Sequence, residues 1–291
     1  MDVKGVILAA GYGSRFLPIT KTIPKEMLPL IDIPAIHLII EEFIDSGIKD
    51  ILIITSRRKK VLEDYFDREI ELEEYLPEEK KRKIPQFNAN IFFTRQKRMG
   101  GTGDALLLCE PFVGKSPFIV AYPDDILFDT PPFSKQMIEE YKKSISKENP
   151  AGCTVLCGEY IDGDVSRYGV MDLEIKEDLI YVREMVEKPE KGKAPSNCIS
   201  VGRYLYTYEI FEALKDVKKT IKKDGEFYQT EPINILAKRG KVVCKIFTGT
   251  RLDTGTPEGY IKSLVDFIFF RRKEYKSTLL NYLEKRLKEE N

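Results

Sequence analysis

The chain has 291 residues, 42% hydrophobic and 11% aromatic, a globular composition that excludes a disordered chain. Forty-seven basic residues balance 47 acidic ones, so the basic excess of a nucleic-acid binder is absent and any anion site must be local. Five scattered cysteines and a single histidine leave no tight ligand cluster for zinc, and the thiols read as core residues of a reducing compartment.

No stretch reaches the ~18 apolar residues of a membrane span. The apolar run in the opening MDVKGVILAAG is too short for a signal peptide. The expectation is a cytoplasmic protein with neither membrane nor nucleic-acid partners.

Residues 3–10 (VKGVILAA) form a continuous apolar run ending at Gly11, the pattern of a strand buried on both faces. Leu8-Ala9-Ala10-Gly11-Tyr12-Gly13-Ser14-Arg15 follows. Small residues and glycines there let backbone N–H groups close on an anion. A dinucleotide fingerprint would need a third glycine and an acidic residue ending the second strand. Arg15 and Phe16 stand near the first position and Ser56-Arg57-Arg58 at the second, and no Walker A match exists. Beyond the turn, Arg15, Lys21 and Lys25 lie in a loop punctuated by Pro18, Pro24 and Pro29. Prolines stiffen an irregular backbone, and three cations on such a loop suit a triphosphate.

Residues 35–46 have helical spacing and stop at Gly47; His37 in this helix reads as structural. Residues 50–55 form a second buried strand. Residues 56–85 carry nine basic and nine acidic residues and read as a surface helical excursion laced with i,i+4 pairs. Residues 90–94, a glycine-rich turn, a helical ALLLCE and the strand 117–121 follow, with Asp124 at that strand's carboxyl end. The alternation predicts right-handed βαβ units and a mixed, mostly parallel, Rossmann-like α/β sheet flanked by helices. After residue 150 the segments 152–160, 168–173, 179–186 and 198–206 read as strands without long helices between them, a smaller antiparallel part. Residues 258–290 form a helical tail. Its apolar positions, from Ile261 and Leu264 to Leu280 and Leu283, suit packing on the domain or on a second subunit.

The stretch LAAGYGSRFLPITKTIPKEMLPL resembles the opening signature of bacterial-type UTP–glucose-1-phosphate uridylyltransferases, within the sugar nucleotidyltransferase superfamily. RQKRMGGTGDAL, YPDDIL, SRYGVMD, MVEKPE, APSNCISVGRYLY, GEFYQTEPI and RLDTGTPEGY follow in that family's order. The resemblance implies transfer of a uridylyl group from UTP to glucose 1-phosphate with release of pyrophosphate, dependent on Mg²⁺. By the same resemblance Gly11, Gly13 and Arg15 hold the triphosphate, and Lys25 neutralises the reacting phosphates. Gln96 reads the pyrimidine with help from the backbone at Ala10 and Gly101. Asp124 and Asp253 ligate the metal. Gly169, Glu187 and Gly202 contact the sugar and Lys188 its phosphate.

Residues 1–260 would form the nucleotidyltransferase domain, with a nucleotide part over about 1–150 and a sugar-phosphate part over about 151–256. Residues 257–291 are the helical tail, and a homo-oligomer (dimer or tetramer) is expected.

Two departures bear on the reading. Asp124 is followed by Asp125 where this branch often has an apolar residue, and strand alternation should aim only one of them at the site. Leu252-Asp253-Thr254-Gly255-Thr256 is closer to the thymidylyltransferase version, which keeps glucose-1-phosphate thymidylyl transfer, or relaxed pyrimidine use, as an alternative. A third reading is a non-catalytic nucleotide-sugar-binding regulator, whose mark would be loss of Lys25, Asp124 or Lys188; all three are present.

The chemistry is consistent with these residues. A sugar-phosphate oxygen is already anionic near neutral pH, so its attack on the α-phosphorus needs no general base. The obstacle is repulsion between polyanions, about 4 kcal/mol per pair of unit charges 4 Å apart at an effective dielectric near 20. Cations and backbone donors answer it.

Overall fold

The computed structural model describes residues 2–221 and 226–289. Nine strands form one sheet: β1 (Lys4–Leu8), β2 (Asp50–Thr55), β3 (Asn90–Arg95), β4 (Phe118–Ala121), β5 (Thr154–Tyr160), β6 (Gly169–Lys176), β7 (Leu179–Glu187), β8 (Cys198–Tyr206) and β9 (Val242–Ile246). Their order across the sheet is β3-β2-β1-β4-β8-β5-β9-β7-β6. Strands β1 to β4 are mutually parallel, and β5 and β9 are a parallel pair running with them. Only β8 and β7 run against the rest. The sheet is mixed, and most of its strands share one direction.

Period-two alternation divides the strand residues between two cores. Ile7, Ile51, Ile53, Ile119 and Leu205 face the helices Ala35–Asp45 and Phe133–Lys143, where Ile39, Ile40, Phe43 and Met137 meet them. Val6, Leu52, Ile54, Val120 and Tyr206 face the helices Thr102–Leu107, Glu209–Thr220 and Thr230–Lys238, through Leu106, Phe211, Leu214 and Leu236. Burying one such side chain stabilises the fold by about 1.5–3 kcal/mol, and both sheet faces are covered this way. All five cysteines are free and buried.

The antiparallel strands continue the same sheet, and β8 lies between β4 and β5. Its register sets Arg203 opposite Ala121, so a strand from the second half of the chain borders the nucleotide half directly.

A third, smaller cluster lies beside the rim. An antiparallel ribbon, Asp125–Phe128 against Thr250–Asp253, contributes Ile126 and Leu252, which pack with Leu30, Leu38 and Phe267. Phe267 comes from the helix Pro257–Phe270. The tail is two helices, Pro257–Phe270 and Lys276–Glu289, joined through a tight turn at Lys273–Tyr275. The first buries Phe267 and Ile268, whereas Ile261, Leu280 and Leu283 are exposed. Residues 290–291 of the tail and Gly225 of the GEFYQTEPI stretch lie outside the described residues.

The charged stretch 56–85 folds as three short helices, Lys60–Phe66, Ile70–Tyr75 and Glu78–Lys81. Within it Lys81 pairs with Glu78 and Arg68 with Glu73, at i,i+3 and i,i+5 spacing. The breaks at Asp67 and Leu76 in extended backbone interrupt the helical spacing that the expected i,i+4 pairs need. Among the described residues no helix is long and apolar enough to cross a membrane.

Candidate functional site

The carboxyl ends of β1 to β4 open onto one rim, where open α/β sheets bind ligands. After β1 the chain runs through three short 3-10 turns, Ser14–Phe16, Ile19–Lys21 and Lys25–Met27. Prolines at 18 and 24 prevent a regular helix, as the sequence implied. Ala10 is buried, Gly11 and Arg15 are exposed, and Gly13 immediately precedes the first turn. Lys21 points to solvent.

Asp124 lies in the turn beyond β4, after Tyr122 and Pro123. The Lys25 ammonium meets its Oδ2 at 2.6 Å. Burial alone would push the Lys25 ammonium down, but Asp124, Glu26 and Asp125 outweigh it and hold it above its ordinary value. Burial likewise pushes the Asp124 carboxyl up; Lys25 and Arg15 overcome this, and the group ionises below the usual range. A Cβ added at Gly255 would lie 2.9 Å from Asp124 Oδ2 and 3.1 Å from Asp253 Oδ1, so both carboxylates come close to this glycine. Asp253 Oδ1 also accepts the Gly255 N–H at 2.9 Å, the local turn bond expected of an aspartate before glycine. Arg15 reaches this corner by donating to the Gly255 carbonyl at 3.3 Å.

Asp125 lines the same cleft and is held by different partners. Arg251 Nε donates to its Oδ1 at 2.7 Å, and the Gly202 N–H donates to its Oδ2 at 3.0 Å. Burial and the neighbouring Asp124 and Asp253 raise the Asp125 carboxyl, against the pull of Arg251. The two adjacent aspartates thus have different partners: Asp124 pairs with Lys25, and Asp125 with Arg251 and the Gly202 N–H. Gly202 must be glycine for this approach, because a Cβ there would come within 2.5 Å of Asp125 Oδ2.

A cleft of about 300 Å³ gathers Arg15, Asp124, Asp253, Gly169, Glu187 and Gly202 along its walls. Gly169 and Glu187 are cross-strand partners on β6 and β7, and Thr230 Oγ1 donates to Glu187 Oε2 at 3.3 Å. Lys188 is not among the residues that line the cleft, although its neighbour Glu187 is. Its backbone adopts φ 47, an uncommon conformation for a side-chain-bearing residue, and its N–H donates to the Tyr168 carbonyl at 2.9 Å. Its ammonium lies 3.9 Å from Glu187 Oε1 and 5.9 Å from the Tyr228 ring centre.

Gln96 and Gly101 form the flank of the rim beyond β3, outside the cleft itself. Gln96 is buried and its Nε2 donates to the Gly101 carbonyl at 3.2 Å. Gly101 has φ 97, and a Cβ there would sit 2.4 Å from the Phe227 carbonyl oxygen. The Gly103 N–H donates to that same carbonyl, and the Phe227 N–H donates to the Gly100 carbonyl.

A larger cavity, about 1310 Å³, lies elsewhere, between the helix Ala35–Asp45 and the excursion. Three of its arginines pair within it, Arg68 with Glu73, Arg271 with Glu41 and Arg272 with Asp32. His37 borders it, with Nδ1 2.8 Å from the Tyr65 hydroxyl and Nε2 3.3 Å from Glu41. The histidine is remote from the rim chemistry, as its structural reading required.

Two features went unread in the sequence. Lys59 is buried and donates to both oxygens of Glu26 at 2.8 Å, bracing the residue beside Lys25. Burial lowers the Lys59 ammonium, and Glu26 only partly offsets it. In SRRKK nothing distinguishes Lys59 from its solvated neighbours. Arg251 was the second; its only signal is a cation two residues before Asp253.

With this geometry in view, comparison with known proteins is informative. The nucleotidyl transferase family model matches residues 4–267. A UTP–glucose-1-phosphate uridylyltransferase of Staphylococcus epidermidis is 39% identical over 91% of each chain. That of Bacillus subtilis is 38% identical over 99% of this chain and 98% of its own. The crystal structure of a UDP-glucose pyrophosphorylase complexed with UDP-glucose superposes with a TM-score of 0.80 at 39% identity, covering 93% of this chain and all of the other. On the extent of these matches, the chain belongs to the nucleotidyl transferase family.

Proposed function

We propose that the protein transfers the uridylyl group of UTP to glucose 1-phosphate, giving UDP-glucose and pyrophosphate. The observation that carries this reading is the common cleft: Arg15, Asp124, Asp253, Gly169, Glu187 and Gly202 line it, and Lys25 pairs with Asp124 on its wall. Residues 1–260 form the nucleotidyltransferase domain in this reading. The nucleotide part is about 1–150, the sugar-phosphate part about 151–256, and 257–291 the helical tail.

The roles follow from charge and reach. The backbone N–H groups of Gly11 and Gly13 cradle the triphosphate, with Arg15 and Lys25 neutralising its oxygens, and the backbone at Ala10 assists base recognition. Gln96, oriented by its bond to Gly101, faces the pyrimidine edge. Glu187 accepts from sugar hydroxyls, Gly169 and Gly202 offer backbone, and Lys188 meets the sugar phosphate. With the nucleophilic oxygen already anionic, the protein's task is alignment and charge compensation.

The donor types at the rim suit a hard divalent ion: the carboxylates of Asp124 and Asp253 both come close to Gly255, and magnesium commonly takes one or two carboxylates plus phosphate oxygens. When bound there, Mg²⁺ would supply further neutralisation of phosphate charge.

Leu252-Asp253-Thr254-Gly255-Thr256 favours a second reading, use of dTTP. The two bases differ by one methyl, worth only ~1–3 kcal/mol in an apolar pocket. Lys25, Asp124 and Lys188 are all retained, which argues against a non-catalytic regulator. The free, buried cysteines support a cytoplasmic setting. The helix Lys276–Glu289, which buries no residue and exposes Leu280, Leu283 and Leu287, supports a homo-oligomer, dimer or tetramer; light scattering tests it.

A pyrophosphate-release assay over a grid of nucleotides and sugar 1-phosphates tests the function. The expected best pair is UTP with glucose 1-phosphate, and no release with any pyrimidine nucleotide would refute the proposal.

A further inference from the structure

Arg251 has none of the substrate or metal roles above, yet three carboxylates surround it. Its Nε and Nη2 lie 2.7 and 2.6 Å from Asp125 Oδ1. Its Nη1 donates to Glu159 Oε2 at 3.1 Å, and Nη2 is 3.9 Å from Asp253 Oδ2. Its guanidinium stands 5.7 Å from the Tyr168 ring centre. The side chains of Arg251 and Asp125 are only 12% and 14% exposed.

Three of these contacts lead to different parts of the cleft. The second oxygen of Asp125 accepts the Gly202 N–H, on the sugar side. Tyr168 precedes Gly169 and accepts the Lys188 N–H with its carbonyl. Asp253 is opposite Asp125 in the ribbon and faces Asp124. From behind, Arg203 Nη2 lies 3.4 Å from the Asp125 carbonyl and 2.6 Å from Glu42, so the Asp125 backbone is held as well as its side chain.

A buried ion pair is a poor way to gain stability, since a well-packed apolar pair of similar volume often does as well. It does fix direction. A planar guanidinium holds several oxygens at set angles, which an ammonium cannot reproduce. From these contacts we propose that Arg251 and Asp125 are a positioning pair, setting the sugar-phosphate side of the cleft against the Asp124–Asp253 side. The inference rests on the uridylyltransferase reading above, because it assigns the two sides to the two substrates.

Three variants test it: Arg251→Met, Arg251→Lys and the double variant Asp125→Asn/Arg251→Met. The readouts are thermal unfolding, KM for each substrate, and UDP-glucose binding by calorimetry in EDTA. Arg251→Met should lower the unfolding temperature and raise the glucose 1-phosphate KM about 10-fold or more, leaving the UTP KM nearly unchanged. Arg251→Lys keeps the charge without the fork and should fall between wild type and Met. The double variant leaves no unpaired buried charge at this pair. It should regain the unfolding temperature while keeping the raised KM and weakened UDP-glucose binding. Recovery of both in the double variant, or equal KM rises for the two substrates, would overturn the positioning role. A wild-type protein that forms no UDP-glucose would defeat the functional reading itself; an active wild type beside a double variant of wild-type KM would defeat the positioning pair alone.

Discussion

Lys25 Nζ lies 2.6 Å from Asp124 Oδ2, across 99 residues of chain, so the residue we assign to triphosphate charge and the one we assign to the divalent ion hold each other. The pair sets the electrostatic centre of the rim, since Arg15 and Asp125 also act on it.

Asp124→Ala removes one of two carboxylates facing the proposed metal volume and frees Lys25 from its partner. Turnover should fall by about 100- to 1000-fold, the scale of losing a preorganised electrostatic group. Initial rates of pyrophosphate release measure it. Undiminished rates would take Asp124 out of the site.

The same pair has a pH signature. Asp124 titrates below its ordinary range in the folded state. A depressed carboxylate contributes stability that is present above its unfolded pKa and lost as pH falls through the folded one. Asparagine mimics the protonated form. The unfolding-temperature gap between wild type and Asp124→Asn should therefore be largest at neutral pH and narrow below about pH 4. A gap that stays constant into strong acid would contradict the direction of the shift.

Lys59→Met strands Glu26, which is buried with Lys59 as its ion-pair partner. Breaking a buried pair from one side costs about 3–5 kcal/mol, measurable by urea denaturation. Glu26→Gln/Lys59→Met should return most of that loss. The UTP KM should rise in the single variant, because Glu26 adjoins Lys25. A cost below about 1 kcal/mol, typical of a surface pair, would show that the bracing is slight.

Lys188→Ala should raise the glucose 1-phosphate KM far more than the UTP KM. Steady-state kinetics with each substrate varied in turn separates the two, and equal effects would contradict the assignment of Lys188 to the sugar phosphate.

What could be read in the sequence was local. The first strand, the glycine turn and the proline-stiffened loop are consecutive in the chain, and so were legible together. The burial of the five cysteines followed from their apolar settings. The placement of β8 between β4 and β5 was not legible, because alternation identifies a strand without naming its neighbours. Arg203 shows the difficulty: its partner Glu42 lies 161 residues away. Lys59 and Arg251 were hidden for another reason. Their burial depends on long-range partners, Glu26 and Asp125, and a lysine in a charged run looks solvated until those partners are located. The excursion misled similarly, since its charge pattern suggested i,i+4 pairs that its short, interrupted helices do not supply.

The most direct measurement is UDP-glucose formed from UTP and glucose 1-phosphate with Mg²⁺, with EDTA in its place, and by Lys25→Ala. The expected result is UDP-glucose and pyrophosphate in equal amounts from the wild type, none with EDTA, restoration by added magnesium, and at least about 100-fold less from Lys25→Ala. Formation that is indifferent to chelation and to loss of Lys25 would contradict a rim built to let two polyanions meet.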